Sequence, residues 1–344
     1  MIVREYFEYV LDTIHRVEQL NTSYLKLSHR NIALNFTSVE LTNEILPLFE
    51  FLTLTEKPSA VELKIYVVDN SDLKHKIKLP EIVDKMSIED GRDVDLSKDH
   101  YQIIYYRHWN KLLLFDHKAK IGICIYNSIH EIAWWEKSAY LKEIFHIWSK
   151  ELPAQLIHGG AVATDENNGY LLIGKGGSGK STSCINLMLN GYKYLGDDYV
   201  WVEFGDDGNN KVVSLYQTAK LRIDNFLENF MHLEKYLINP DSFRQTKAIL
   251  KPDDLLKKRW IRTANIKGIL HPEITNGDAS SIEKNSSLNT FLSLAPNTIM
   301  QQTVNRKASH KKLSYLINTS KCYRWKLSTS INTNIAVFTN FVEQ

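Results

Sequence analysis

Nine consecutive residues, Gly174-Lys-Gly-Gly-Ser-Gly-Lys-Ser-Thr182, constrain this 344-residue chain more than any other segment. They fit the pattern G-x-x-x-x-G-K-[ST] of a phosphate-binding loop. The apolar run Tyr170-Leu-Leu-Ile173 before them suits a buried parallel strand. Residues 180–190 after them read as a helix with Ile185 and Leu189 among its apolar positions, closed by Gly191. In random sequence of average composition the bare pattern arises on the order of once per hundred chains this long. Strand, glycine loop and helix in that order predict an α/β core.

Each residue type in the loop has a physical task. Glycines at 174, 176, 177 and 179, with Ser178, let successive backbone N–H groups turn into one concavity that holds phosphate oxygens. The helix that starts there adds the positive end of its dipole. Lys180 is expected to reach the β- and γ-phosphates of ATP, Ser181 to coordinate Mg²⁺, and Thr182 to assist through a phosphate contact.

A short strand, Tyr192 to Leu195, then leads into Gly196-Asp197-Asp198, only 17 residues beyond Lys180. A helix of about ten residues runs about 15 Å and a four-residue strand returns about 13 Å. Both carboxylates can therefore come back beside the loop. One would bind or orient Mg²⁺ and the other accept the proton of an attacking hydroxyl. Upstream, Gln155-Leu-Ile-His158-Gly-Gly-Ala-Val162 reads as a strand interrupted at His158-Gly159-Gly160 and paired with the loop strand. That places His158 to steer an aspartate or a phosphate.

Bulk properties bound the class. The formal net charge of +2 supplies no whole-molecule field for nucleic acid, and no recognisable nucleic-acid motif is present. Cys124, Cys184 and Cys322 form no CxxC pair, which suits a reducing cytosol and cysteines packed as small apolar groups in helix cores. Arg4, Glu5 and Glu8 interrupt the first turns, unlike a signal peptide, and no run of about 18 apolar residues offers a membrane span. A cytoplasmic protein is expected, with a homo-oligomer left open.

We read residues 1–150 as an N-terminal α+β domain, placed to serve substrate recognition, and 151–344 as the phosphate-loop domain. In the first, Val3, Phe7, Val10, Leu11, Ile14 and Val17 can share a helix face, and Val61–Val68 is a strand. Residues 69–100 read as a long polar loop, and 101–107, 111–115 and 119–126 as a meander. An amphipathic helix over 131–150 carries Trp134, Leu141, Phe145 and Trp148 and stops before Pro153. In the second domain, Tyr199 to Phe204 is a strand, two helices span about 286–302 and 307–319, and a closing strand pair covers Cys322–Leu327 and Ile335–Phe338.

The order His-Gly, strand, loop, helix and Gly-Asp-Asp over roughly residues 155–204 resembles the catalytic core of the HPr kinase/phosphorylase family, which shares its nucleotide fold with phosphoenolpyruvate carboxykinase. Leu313-Ser-Tyr-Leu316 and Cys322-Tyr-Arg-Trp-Lys-Leu327 look like the ending of HPr-kinase-like proteins in peptide-modification clusters. The resemblance implies ATP and Mg²⁺ as cofactors and Lys180, Ser181 and Thr182 on phosphates and metal. It implies that Asp197 and Asp198 share the metal contact and the base, with Asp198 preferred as base, and that His158 supports them. The Glu-x-Arg-Gly segment of true HPr kinases is missing, and Lys220-Leu-Arg222 and Lys247–Lys251 stand in its stretch. The divergent branch that includes lasso-peptide precursor kinases is the better match, which implies a peptide or protein serine hydroxyl as acceptor.

From 284 to 342 no residue is acidic, while Lys284, Arg306, Lys307, Lys311, Lys312, Lys321, Arg324 and Lys326 are basic. They form either a solvated face or a surface that captures ATP or an acidic peptide. Two other readings compete with a kinase. One is a nucleotide-binding regulatory or scaffold protein without phosphotransfer. The other is a carboxykinase acting on a small oxoacid, whose separate metal-binding Lys/His set we do not find.

Overall fold

A computed structural model describes residues 3–81, 83, 94–275, 277–299 and 306–344. The chain divides into two compact units, Met1–Trp148 and Ser149–Gln344.

The first unit is built on one sheet. Its strands are β1 (Asn21–Leu27), β2 (Arg30–Phe36), β3 (Thr53–Leu54), β4 (Leu63–Asp69), β5 (Val94–Lys98), β6 (Tyr101–Tyr106), β7 (Lys111–Asp116) and β8 (Ile121–Tyr126), in the order β3-β1-β2-β4-β8-β7-β6-β5. Helix α1 (Val3–His15) buries Tyr6, Phe7, Val10 and Ile14, and they join Val68, Ile103, Leu114 and Ile123 in one apolar cluster. The meander is present with the expected turns. The polar stretch 69–100 is not all loop, because Val94–Lys98 pairs antiparallel with β6. Residues 82 and 84–93 of that stretch lie outside the described residues.

The helix expected over 131–150 is confined to Lys142–Ser149. Leu141 has φ +63°, a left-handed backbone that breaks any continuous helix before it. The residues ahead of it serve a buried charge instead. Lys111, 1% exposed, is ion-paired with Glu136 and lies 3.1 Å from Glu143, under the rings of Tyr106 and Trp109. A buried ammonium is tolerable only when so paired.

The second unit carries the glycine loop. Strands β9 (Ala154–Ile157), β10 (Gly160–Ala163), β11 (Gly169–Leu172), β12 (Lys193–Gly196), β13 (Val200–Glu203), β14 (Lys211–Val213) and β17 (Thr263–Ile274) run in the order β12-β10-β11-β17-β14-β13-β9. Strand β17 is the spine. It pairs antiparallel with β14, then parallel with β11, and its end pairs parallel with β19 (Cys322–Leu327), which in turn takes β18 (Ser281–Lys284). The loop strand is therefore parallel on one side only, since β10 on its other side is antiparallel. A separate two-stranded ribbon joins β15 (Ala219–Arg222) to β16 (Lys247–Leu250).

Period-2 alternation along the loop strand divides the core into two layers. Tyr170 and Leu172 join Cys184, Ile185, Trp325 and Phe338 on one face. Leu171 and Ile173 join Leu294, Leu313 and Leu316 on the other. Burying each such side chain contributes about 1.5–3 kcal/mol. All three cysteines are buried, but Cys124 and Cys322 sit on strands rather than helices.

Two further sequence expectations fail here. Ile335–Phe338 is not a strand but part of helix Ile331–Val342, whose first turn is capped by Ser330 Oγ accepting from the Thr333 amide. Phe338 points inward between the rings of Tyr170, Tyr192 and Trp325. Second, His158 does not lie on the strand beside the loop strand. Strand β9 pairs with β13, whereas β10 pairs with β11 and β12, so His158 and Gly159 form the crossing between them.

Glycine is required where β10 begins. A Cβ at Gly160 would sit 2.5 Å from Cys184 Sγ and 3.2 Å from the Gly196 carbonyl. We expect Gly160→Ala to destabilise the chain by roughly 1–3 kcal/mol, read as a lower urea midpoint. Adding Cys184→Ala should recover part of that loss, and strictly additive effects of the two changes would refute the contact.

Candidate active site

The loop between β11 and helix Lys180–Leu189 takes its shape from glycine. Gly174, Gly177 and Gly179 have φ values of +138°, +82° and +104°, conformations in which an L side chain is strained. A Cβ at Gly179 would also lie 2.4 Å from Leu327 Cδ1, while one at Gly176 would meet nothing within 4 Å. No side chain caps the helix N-terminus, so the first turn presents backbone donors. Buried Ser178 Oγ has no hydrogen-bond partner.

Lys180 folds back over its own loop. Its Nζ donates to the carbonyls of Gly174 (2.6 Å) and Lys175 (3.0 Å). Burial lowers its pKa, against the pull of Asp197 and Asp198. Asn297 Nδ2 donates to the same Gly174 carbonyl at 2.8 Å. Thr182 Oγ1 accepts from Asn225 Nδ2 at 2.7 Å, which fixes its hydroxyl oxygen from the side.

The twin aspartates do return to the loop, and they differ. Asp197 is 2% exposed. Its Oδ2 accepts from the Lys220 amide at 2.9 Å, while Oδ1 has no hydrogen-bond partner. Burial pushes its carboxyl up to about 6, and the Asp198 charge adds to that rise. The Lys220 amide, the Ser181 hydroxyl and the Lys180 ammonium oppose it. Asp198 is held by a lysine and a histidine: Lys220 Nζ donates to Oδ2 at 2.7 Å, and His158 Nε2 lies 3.5 Å from Oδ1. The His158 ring stacks on Tyr199, and its backbone N–H donates to Thr298 Oγ1 at 3.4 Å. The structure thus brings His158, Lys180, Ser181, Asp197 and Asp198 into one electrostatic cluster.

Lys220, on β15, is one residue whose role sequence reasoning missed. It touches both carboxylates at once, one through its backbone and one through its side chain. The alternation Ala219 in, Lys220 out, Leu221 in, Arg222 out is all that the sequence offers, and any strand with one solvated face shows it. Part of the basic C-terminal set is already committed. Arg324 and Lys326 lie 3.6 Å and 3.0 Å from Glu273 and Glu283. Lys312 Nζ donates to the carbonyls of Ser149, Lys150 and Ala154, with its pKa lowered to about 8 by burial.

Ser181 and Asp197 are the pair that could hold a hard cation. Among the described residues no three His, Cys, Asp or Glu side chains converge into a metal cage. A magnesium ion carried on substrate phosphates needs only one or two carboxylates, so the donor set fits that use. The open side of Gly176 and the partnerless Ser178 Oγ and Asp197 Oδ1 fit a group that brings its own oxygens.

No family model matches this sequence, and no curated protein matches it. A solved structure, the Hpr(Ser) kinase/phosphatase from Coxiella burnetii, matches at 9% identity and a TM-score of 0.31, covering 55% of this chain and 97% of that one. Among the described residues no helix is long and apolar enough to cross a membrane.

The buried Asp197 makes a stability prediction with a definite sign. Folded, the carboxyl keeps its proton to about pH 6, above its ordinary value of 3.8. Between those values the folded state binds more protons, so stability present in acid is lost as pH rises through 6. The loss is on the order of 2–3 kcal/mol. Asp197→Asn should therefore flatten the pH 4–7 dependence and make the ligand-free protein more stable at pH 7. Urea titrations across that range measure both, and parallel curves for the two proteins would contradict the buried acid.

Proposed function

We propose that this chain is an ATP- and Mg²⁺-dependent kinase that transfers the γ-phosphate to a serine hydroxyl of a peptide or protein. It would act as an HPr-kinase-like enzyme, and the C-terminal serine of a lasso-peptide precursor is the first acceptor to test. The observation that carries the reading is the asymmetry of the two aspartates beside the glycine loop. Asp197 is buried with one bare oxygen next to Ser181 and Lys180, whereas Asp198 is more open and steered by His158 and Lys220.

The roles follow from that asymmetry. The loop amides from Gly174 to Thr182 and the helix N-terminus receive phosphate oxygens. Lys180 leaves its loop carbonyls for the phosphates, exchanging two neutral acceptors for charged ones. Mg²⁺, when bound, neutralises phosphate charge, and Ser181 and Asp197 would hold it. Asp198 accepts the acceptor-serine proton as that oxygen bonds to γ-phosphorus and the bond to the ADP oxygen breaks. His158 and Lys220 orient Asp198 for that task. A regulatory nucleotide-binding protein would need the loop but would have no use for an oriented Asp198.

Mutations separate these roles. Lys180→Ala should abolish transfer. Asp198→Asn should bind ATP as wild type does and lose about 10²–10⁴-fold in turnover. Isothermal titration with ATP, with and without Mg²⁺, reads binding. Transfer of ³²P to synthetic peptides ending in serine reads turnover. Undiminished turnover in Asp198→Asn would reject the base, and nucleotide binding without any transfer would favour the regulatory reading.

A further inference from the structure

One side chain at the loop has no task in that scheme. His271 lies on β17 one residue beyond Leu270, whose carbonyl accepts the Ile173 amide at 2.9 Å. That register sets the imidazole against Gly174, the first residue of the loop. A Cβ at Gly174 would lie 2.9 Å from His271 Cδ2, 3.2 Å from Nε2 and 2.8 Å from the partnerless Ser178 Oγ. The Cδ2–Nε2 edge of the ring therefore faces the loop.

The other ring nitrogen is anchored, and its proton can be placed. Ser293 Oγ lies 3.1 Å from His271 Nδ1. With the Ser293 hydroxyl donating to the Asn289 carbonyl at 2.9 Å, its oxygen is left to accept from Nδ1–H. Glu273 Oε1, 3.4 Å from Nδ1, favours the same assignment. In the neutral ring Nε2 then carries a lone pair toward the loop. The charged groups acting on the ring are Glu273 on one side and Arg324, Lys180 and Lys175 on the other, and burial together with the three cations lowers its pKa.

We propose that His271 is a proton-linked phosphate contact of the loop: a bound phosphate draws a proton onto Nε2, which then donates to it. Bare, Nε2 would oppose a phosphate oxygen lone pair to lone pair. Protonated, it becomes a donor while Nδ1–H stays on Ser293. Ser293 and Asn297 sit on one helix, Ser287–Ile299, and Asn297 bonds the Gly174 carbonyl. The same helix thus grips both the histidine and the loop it reads. The inference rests on the loop binding phosphate, as proposed above.

The test is ¹⁵N–¹H long-range NMR of the ¹⁵N-histidine-labelled full chain, with the His271 signals identified by their loss in His271→Gln. Pyrophosphate without metal is the probe, because it keeps Mg²⁺ chemistry at Asp197 out of the readout. Free wild type should show a His271 ring protonated on Nδ1 and titrating below 6.5. Pyrophosphate should raise that midpoint by about one pH unit, worth about tenfold in affinity from pH well above both midpoints to pH well below both. His271→Gln should lose that tenfold relative to wild type, while the ligand's own titration affects both proteins equally. Ser293→Ala should weaken the Nδ1 preference. Binding of pyrophosphate with an unmoved His271 midpoint overturns the inference alone. Failure of wild type to bind pyrophosphate or ATP overturns the phosphate-loop reading as well. Should His271→Gln not fold, Ser293→Ala identifies the signals and the wild-type midpoint decides.

Discussion

Two carboxylates on adjacent residues repel each other, and the second unit holds them together with a single lysine. The Lys220 amide donates to Asp197 and its ammonium to Asp198, at 2.9 and 2.7 Å. Charge-assisted bonds of this kind are about twice as strong as neutral ones, and in a partly buried site they are little screened. The lysine belongs to the ribbon of β15 and β16 rather than to the sheet that carries the loop. The site therefore exists only where two separate pieces of backbone meet. The aspartates come from the end of β12, and their partner comes from a strand 22 residues further on.

This division explains what could be read from the sequence. The loop was legible because its demands are local: positive φ at Gly174, Gly177 and Gly179, a strand before and a helix after. The return of Asp197 and Asp198 was legible from chain length alone. Lys220 was not, since nothing local distinguishes a lysine on a strand's outer face from one on any solvated strand. Its role appears only once the excursion through β13 and β14 has brought β15 back. His271 escaped for the same reason, because its neighbour Gly174 lies 97 residues away and meets it through the parallel register of β11 and β17.

The misread elements have a common physical origin. Ile335-Ala-Val-Phe338 is an apolar run too short for periodicity to decide between strand and helix. The Ser330 cap and the inward Phe338 decide for helix. Residues 131–141 carry a helical pattern that tertiary demand overrides, since Glu136 must reach Lys111 and Leu141 turns left-handed. At His158-Gly159-Gly160 the apolar alternation runs on through a crossing between strands. The glycines were the hint, because Gly160 has room for no side chain against Cys184.

Stability and site chemistry pull against each other most clearly at Asp197. Its cost at neutral pH, about 2–3 kcal/mol, equals one or two buried core side chains. The two apolar layers on either face of β11 offset it, and they lie directly beneath the loop. A ligand that binds only the folded chain returns RT ln(1 + [L]/Kd), about 2.7 kcal/mol at a hundredfold excess over Kd. That is of the same size as the cost of the buried acid. A carboxyl kept short of partners is therefore a tolerable defect for a chain that binds such a ligand in the folded state.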